Sequence, residues 1–268
     1  MFQPGEETGL GAKAMIAANV LSDPNVNGAM MIHVITGEKA PGGMIVIPDG
    51  GVVTASSDTF KITVNGSGGH GAYPEKTVDP INVAAHLHTA LQSINSREIS
   101  AEDSVVLTIG KITGGTAPNI IPNNASMEGT IRTFNQETRE LVKKRVAEIS
   151  DLSAKAFKAE AHTEFFIETY SVVNDKKLVD LVFSALKSVL GNKVVSMNQL
   201  TGGKKSMGSE DFAQISVNVP SVAMFISAGS SEDGYEYTMH HPKALFDETQ
   251  LYLGAAAYAI CAFAYLEK

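Results

Sequence analysis

Cysteine is almost absent: Cys261 is the single one in 268 residues. That excludes a disulfide framework and a cysteine-rich metal knuckle. A basic excess is lacking too. With 21 lysines and arginines against 29 aspartates and glutamates, the net charge is -8, whereas a general nucleic-acid binder needs a basic surface to meet phosphate. No basic stretch precedes an apolar run at the N-terminus, so no signal peptide is read there. The longest apolar run is "LYLGAAAYAICAFAYL", Leu251 to Leu266. It falls short of the roughly 20 residues a spanning helix needs, and its alanines and glycine suit a helix packed tightly inside a domain. No internal repeat or low-complexity tract stands out. The expectation is a cytoplasmic protein acting on small molecules, with neither nucleic acid nor membrane as partner. Its length allows one large domain or two modest ones.

Periodicity divides the chain. Thr8 to Leu21 carries helix formers until "SDPNVNG" breaks the pattern, and "AMMIHV" reads as a short buried strand ending at His33. "TFKITVNG" then alternates apolar and polar residues as a half-buried strand does. It leads through "GSGGHGAYPEKTVDP" into a helix over "INVAAHLHTALQSI". Two strands follow, "SVVLTIGKITGG" and "NASMEGTIRTF", then the charged helix "NQETRELVKKRVAEISDLSAKAF" and a strand near "HTEFFIE". That order, β-α-β-β-α-β, is the ferredoxin-like unit with two helices on one face of an antiparallel sheet. Beyond it come a helix, "DKKLVDLVFSALKSVLG", a strand, "PSVAMFISAG", and a helical C-terminus. The fold class expected is therefore α/β, residues 1–53 and 167–268, interrupted by a compact α+β insert, residues 54–166.

Five ionisable positions carry the chemical interest: Glu6, Glu7, His33, His70 and His240. Adjacent glutamates in a turn are ordinarily just solvated. Two neighbouring carboxylates can also divide a hydrolytic task, one holding a metal and the other taking a proton from the attacking water. His33 ends an apolar strand, where a core histidine and a ligand are both reasonable. His240 and His241 precede a proline in "YTMHHPKALFDE", a surface-like pair in which imidazole is still the commonest metal ligand. "GSGGHG" satisfies G-x-G-x-x-G, but Tyr73-Pro74 and Asp79-Pro80 follow, so no helix opens on the third glycine and a dinucleotide site is rejected. Those glycines let backbone approach a ligand while presenting His70. In "GGTAPNIIPNNASMEGTIR", turn chemistry explains most residues, although Asn119 and Arg132 suit a carboxylate or carbonyl oxygen.

Six segments in order, "FQPGEE", "IHV", "GSGGHGAYPEKTVDPI", "GKITGGTAPNIIPNNASMEGTIRTF", "MGSEDFA" and "HHPKALFDE", resemble the M20 metallopeptidase superfamily. They are most similar to its amidohydrolase branch of N-acyl-amino-acid, hippurate and indole-acetyl-amino-acid hydrolases. The resemblance implies an M20-type catalytic domain, incomplete at its N-terminus, with a ferredoxin-like dimerisation or lid domain inserted. It implies Glu6 as general base, Glu7, His33 and His240 as metal ligands, and His70 as the group offered to the substrate's carbonyl oxygen. Asn119 becomes a substrate-binding residue supported by Arg132. The metal implied is manganese or zinc, with cobalt or nickel as alternatives, two per site in complete relatives. The substrate implied is an N-acyl amino acid, and the assembly a homodimer through the lid domain.

The family also carries a Cys-Gly-His-Asp motif supplying a bridging cysteine and a further histidine, and this sequence has none. The opening "MFQPGEETGLG" reads as the tail of a strand running into a turn, which leads us to expect that a preceding region is absent. Three ligands of five then remain, and activity is expected to be impaired. Two other readings stay open: an inactive remnant acting as a dimerising module, and a dipeptidase or carboxypeptidase. The latter is disfavoured because "IHV" offers a histidine where Asp or Glu is usual.

Overall fold

The computed structural model describes residues 1–203 and 205–267. The strands are β1 (Ala29–Ile35), β2 (Ile45–Ile47), β3 (Gly51–Val52), β4 (Ser57–Asn65), β5 (Gly69–His70), β6 (Val105–Gly114), β7 (Ile120–Ile121), β8 (Asn124–Thr133), β9 (Glu160–Thr169), β10 (Val173–Asn174), β11 (Val194–Ser196) and β12 (Ser221–Ser227). The helices are α1 (Gly11–Ala17), α2 (Pro80–Ser93), α3 (Gln136–Ala156), α4 (Lys176–Leu190), α5 (Met197–Thr201), α6 (Ala213–Ser216) and α7 (Tyr252–Leu266). They group into two compact units, Met1–Thr54 with Val172–Lys268, and Ala55–Ser171.

The inner unit, Ala55–Ser171, is a four-stranded antiparallel sheet in the order β6-β8-β4-β9. Alternation decides its faces. Phe60, Ile62 and Val64 of β4 and Ala125, Met127 and Ile131 of β8 turn into a core closed by Val83, Leu87 and Leu91 of α2 and Val142 and Val146 of α3. Both helices start on a side-chain cap, Asp79 followed by Pro80 and Asn135 before Gln136, which satisfies amides the first turn leaves unbonded. A buried ion pair ties helix to sheet. Arg139 of α3 donates from Nε to Asp58 Oδ2 at 2.7 Å and from Nη2 to Oδ1 at 2.6 Å, and both side chains are almost wholly buried.

The outer unit holds a mixed sheet in the order β1-β12-β2-β11. β1 and β12 run parallel, β12 and β2 antiparallel, β2 and β11 parallel. One face, with Val222, Met224, Ile226, Ile45 and Ile47, is covered by Leu178, Val182 and Leu186 of α4 and Leu253, Ala257 and Cys261 of α7. The other face packs Ala223 and Met31 against Ala12 of α1 and Ala213 and Ile215 of α6.

Expectations for β1, α7 and α1 are corrected. β1 runs on to Ile35 and is half-buried along its length, because it is the last strand in the sheet order. The Ile32 amide on that strand donates to the Tyr258 hydroxyl of α7 at 2.9 Å instead of to a further strand. Nor is α7 packed on all sides. Only the Leu253–Ala257–Cys261 stripe is buried, while Tyr252, Tyr258, Phe263 and Leu266 stay exposed. Glu248–Leu266, at 19 residues, is long and apolar enough by length and composition to cross a membrane. The helix expected over Thr8 to Leu21 is confined to Gly11–Ala17.

Breaking a buried pair strands the remaining charge, so Arg139→Ala or Asp58→Ala is expected to destabilise the fold by roughly 3–5 kcal/mol. Denaturant titration checks this, and an effect under about 1 kcal/mol, the size typical of an exposed pair, contradicts it.

Candidate active site

Glu6 and Glu7 sit in a 3-10 turn, Glu6–Thr8, held between Gly5 (φ 72°) and Gly9 (φ 67°). Both glycines occupy the left-handed region, which a side chain disfavours, so two helix-forming glutamates are confined to one tight turn. The Gly9 amide donates to Glu6 O at 2.7 Å, and Thr8 Oγ1 donates to Gly5 O at 2.7 Å. The neighbours then have different surroundings. Glu7 is exposed and its Oε1 lies 3.5 Å from His240 Nδ1; His240 itself is held at φ 67°. Glu6 is half-buried and faces Glu210 and Asp211, and the ligand atoms of these three carboxyl groups all lie within 4.8 Å of one another.

That crowding governs the titration. Burial raises the Glu6 carboxyl above its usual range, the charges of Glu7 and Asp211 raise it further, and His33 and a hydrogen bond from the Asp211 amide pull it back. Burial pushes Glu210 up to about 7, with Glu6 and Asp211 adding to it, against an amide hydrogen bond from Phe212 to its Oε1 at 3.1 Å. A carboxyl near neutrality exchanges protons readily at physiological pH, which is what a general base needs.

His33 lies on β1 opposite Phe225 of β12, on the face with Met31 and Ile35. Together with Val46, Phe225 and Glu210 these residues line a cleft of about 920 Å³. The imidazole Nδ1 is 2.7 Å from Val34 O. A carbonyl only accepts, so Nδ1 carries the proton and Nε2 keeps a lone pair, the arrangement usual for a metal-binding histidine. The donors suit a divalent cation. The 3.5 Å between Glu7 and His240 also matches two donors each about 2.1 Å from one ion in tetrahedral arrangement, which stand about 3.4 Å apart. As a set, however, Glu7, His33 and His240 do not meet the spacing that Glu6, Glu210 and Asp211 meet among the described residues.

The other three residues belong to the inner unit. His70 and Asn119 share a two-stranded ribbon: His70 pairs with Ile120, and the Gly71 amide donates to Asn119 O at 2.9 Å. His70 Nδ1 accepts the Ala72 amide at 3.1 Å, which leaves the proton of a neutral ring on Nε2 as a donor. Arg132 sits elsewhere, on β8 opposite Val106, on the face turned away from Met127 and Ile131. After Gly71 comes a 3-10 turn, Pro74–Lys76, and helix begins only at Pro80, so no phosphate-binding helix opens on the glycines.

The partners that sequence reasoning assigned no role are Glu210 and Asp211. Both are buried, at 8% and 1% exposure, and the only mark they carry in the sequence is that they are two consecutive acids just ahead of α6.

Residues 54–158 match the family model described as a peptidase dimerisation domain. The whole chain aligns at 32% identity with N-acetylcysteine deacetylase of Bacillus subtilis and with thermostable carboxypeptidase 2 of Saccharolobus solfataricus, covering 66% of each. N-acetyldiaminopimelate deacetylase of Bacillus cytotoxicus is 35% identical over 243 residues, 91% of this chain and 61% of that protein. Among solved structures, the B. subtilis YXEP protein, a dinuclear metal-binding peptidase from the M20 family, superposes with a TM-score of 0.76 at 28% identity, over 99% of this chain and 64% of that one. This chain belongs to the M20 family. The M20 chain thus spans just under two thirds of the curated relatives it matches.

For Glu210, a folded pKa above the unfolded value means the folded state binds its proton more tightly. Its contribution to stability is full below the unfolded pKa and is lost as pH rises through about 7. Metal-free protein is therefore expected to lose on the order of 2 kcal/mol of stability between pH 5 and 8 through this group. Glu210→Gln should flatten that dependence. Equal slopes in wild type and variant contradict the assignment.

Proposed function

We propose that this chain carries the metal-dependent amidohydrolase site of an enzyme acting on N-acyl amino acids. The observation that carries the reading is Glu6, a half-buried carboxyl raised above its usual range by burial, next in sequence to a Glu7 already paired with His240 at 3.5 Å. Glu7 and His240, 3.5 Å apart, would hold the cation, manganese or zinc, and His33, which stands outside their spacing, would be a further ligand as the resemblance implies. Bound there, it would supply Lewis acidity toward the amide carbonyl and toward water. Glu6 takes a proton from the water that attacks the carbonyl carbon and hands it to the nitrogen as the carbon–nitrogen bond breaks, giving a carboxylic acid and an amine; the acid's proton then passes to the amine, leaving carboxylate and ammonium. His70 offers its Nε2 proton to the carbonyl oxygen, and Asn119 with Arg132 binds the substrate. The deacetylase relatives support an N-acyl amino acid as substrate, and the match to a dimerisation domain supports a homodimer through residues 54–158.

Cys261 takes no part. It is fully buried in α7 and burial pushes its thiol up to about 11, so it is not the thiolate a metal site would use. With three protein donors we propose low turnover for these 268 residues, since a two-metal site depends on further anions to hold its ions together.

The test is hydrolysis of N-acetyl amino acids with manganese or zinc added, alongside metal content. Glu6→Gln should cut turnover by about 10²–10⁴-fold, the usual worth of a general base, and retain the metal. An unchanged rate in that variant, or wild-type protein holding no metal, overturns the reading.

A further inference from the structure

The Glu6–Thr8 turn has no strand or long helix to fix it, and its internal bonds close only upon itself. One residue from a distant part of the chain supplies what the turn lacks. Asp211, 1% exposed, accepts the Ala12 amide on Oδ2 at 2.9 Å, just beyond the turn. Its Oδ1 accepts Gln3 Nε2, just before the turn, and its own amide bonds the Glu6 carboxylate. Entry, exit and functional group of the turn are thus all tied to one side chain and its backbone. The chain is drawn in so closely that a Cβ on Gly11 would stand 1.6 Å from Pro4 O. Asp211 is in turn placed by α6, whose residues Ala213 and Ile215 are buried against Ala12 and Ala223.

We propose that Asp211 is a positioning residue, which sets where Glu6 and Glu7 stand relative to the sheet. This deepens the hydrolase reading and rests on it for its functional consequence. A carboxylate suits the place because it only accepts, and it meets two donors at once. Asparagine has nearly the same shape and keeps one accepting oxygen, but its amide group cannot accept the second N–H.

Two variants and one control test this by hydrogen exchange and by manganese titration of the whole chain. Asp211→Asn is expected to speed amide exchange over residues 3–12 at least tenfold, leaving α4 and the inner unit unchanged, and to weaken manganese binding at least tenfold. Gln3→Ala, which removes one surface tie and spares the core, should give the same pattern more weakly. Asp175→Ala removes the N-cap of α4, a bond of similar kind that the Leu178 amide donates to Asp175 Oδ1. Losing that cap should lower Tm while leaving residues 3–12 and manganese affinity as in the wild type. Unchanged exchange over residues 3–12 in both Asp211→Asn and Gln3→Ala overturns the positioning role, whatever the metal does. Wild-type protein that takes up no manganese overturns the hydrolase reading, and the exchange comparison still decides the role of Asp211.

Discussion

Three carboxyl groups cannot share a space 4.8 Å across unless something offsets their charge. Glu6, Glu210 and Asp211 are held that close by a buried loop on one side and a glycine-bounded turn on the other. The fold relieves part of the repulsion. Asp211 spends its charge on two N–H donors, Glu210 keeps its proton toward neutral pH, and His33 lies near enough to stabilise ionised Glu6. What remains is a half-buried Glu6 beside the Glu7–His240 pair, an environment in which a cation is favoured. Structural stability alone gives no reason to collect these acids, since apolar residues in the same place would carry no such cost.

Besides the loop that carries His240, the outer unit builds that arrangement from three distant parts of the sequence. The N-terminal turn brings Glu6 and Glu7, β1 brings His33, and the segment before α6 brings Glu210 and Asp211. The parallel pair β1 and β12 is the frame between them: its even-numbered positions on β1 feed the core under α4 and α7, and its odd-numbered ones carry Met31, His33 and Ile35 into the cleft. A slip of one residue in register would exchange the two sets and bury the imidazole under α4. The inner unit needs no such frame. Its four-stranded antiparallel sheet and two capped helices make a self-contained core, pinned by the Asp58–Arg139 pair.

Much of this was legible in the sequence where a period persists. The alternation in Thr59–Val64 and the long charged pattern of α3 each declare one element over many residues, and both elements formed where expected. Short strands were not legible. Ile45–Ile47 and Val194–Ser196 are three residues each and owe their form to pairing with one another, which no local pattern records. α7 misled for a related reason: sixteen apolar residues say that a helix dislikes water, and not which of its faces finds a partner. In the site, the glutamate pair and the histidines stood out by residue type. The acids of "SEDFA" drew no role, because their burial comes from the packing of α6 and not from anything local.

Glu7 and His240 are proposed to be among the donors that this chain gathers around a cation. X-ray absorption at the zinc edge of zinc-loaded protein tests that most directly, compared between wild type and His240→Ala. We expect a shell of oxygen and nitrogen near 2.0–2.1 Å, with outer-shell imidazole scattering in the wild type that falls by one histidine in the variant. Zinc bound without imidazole, or a spectrum indifferent to His240, contradicts the account.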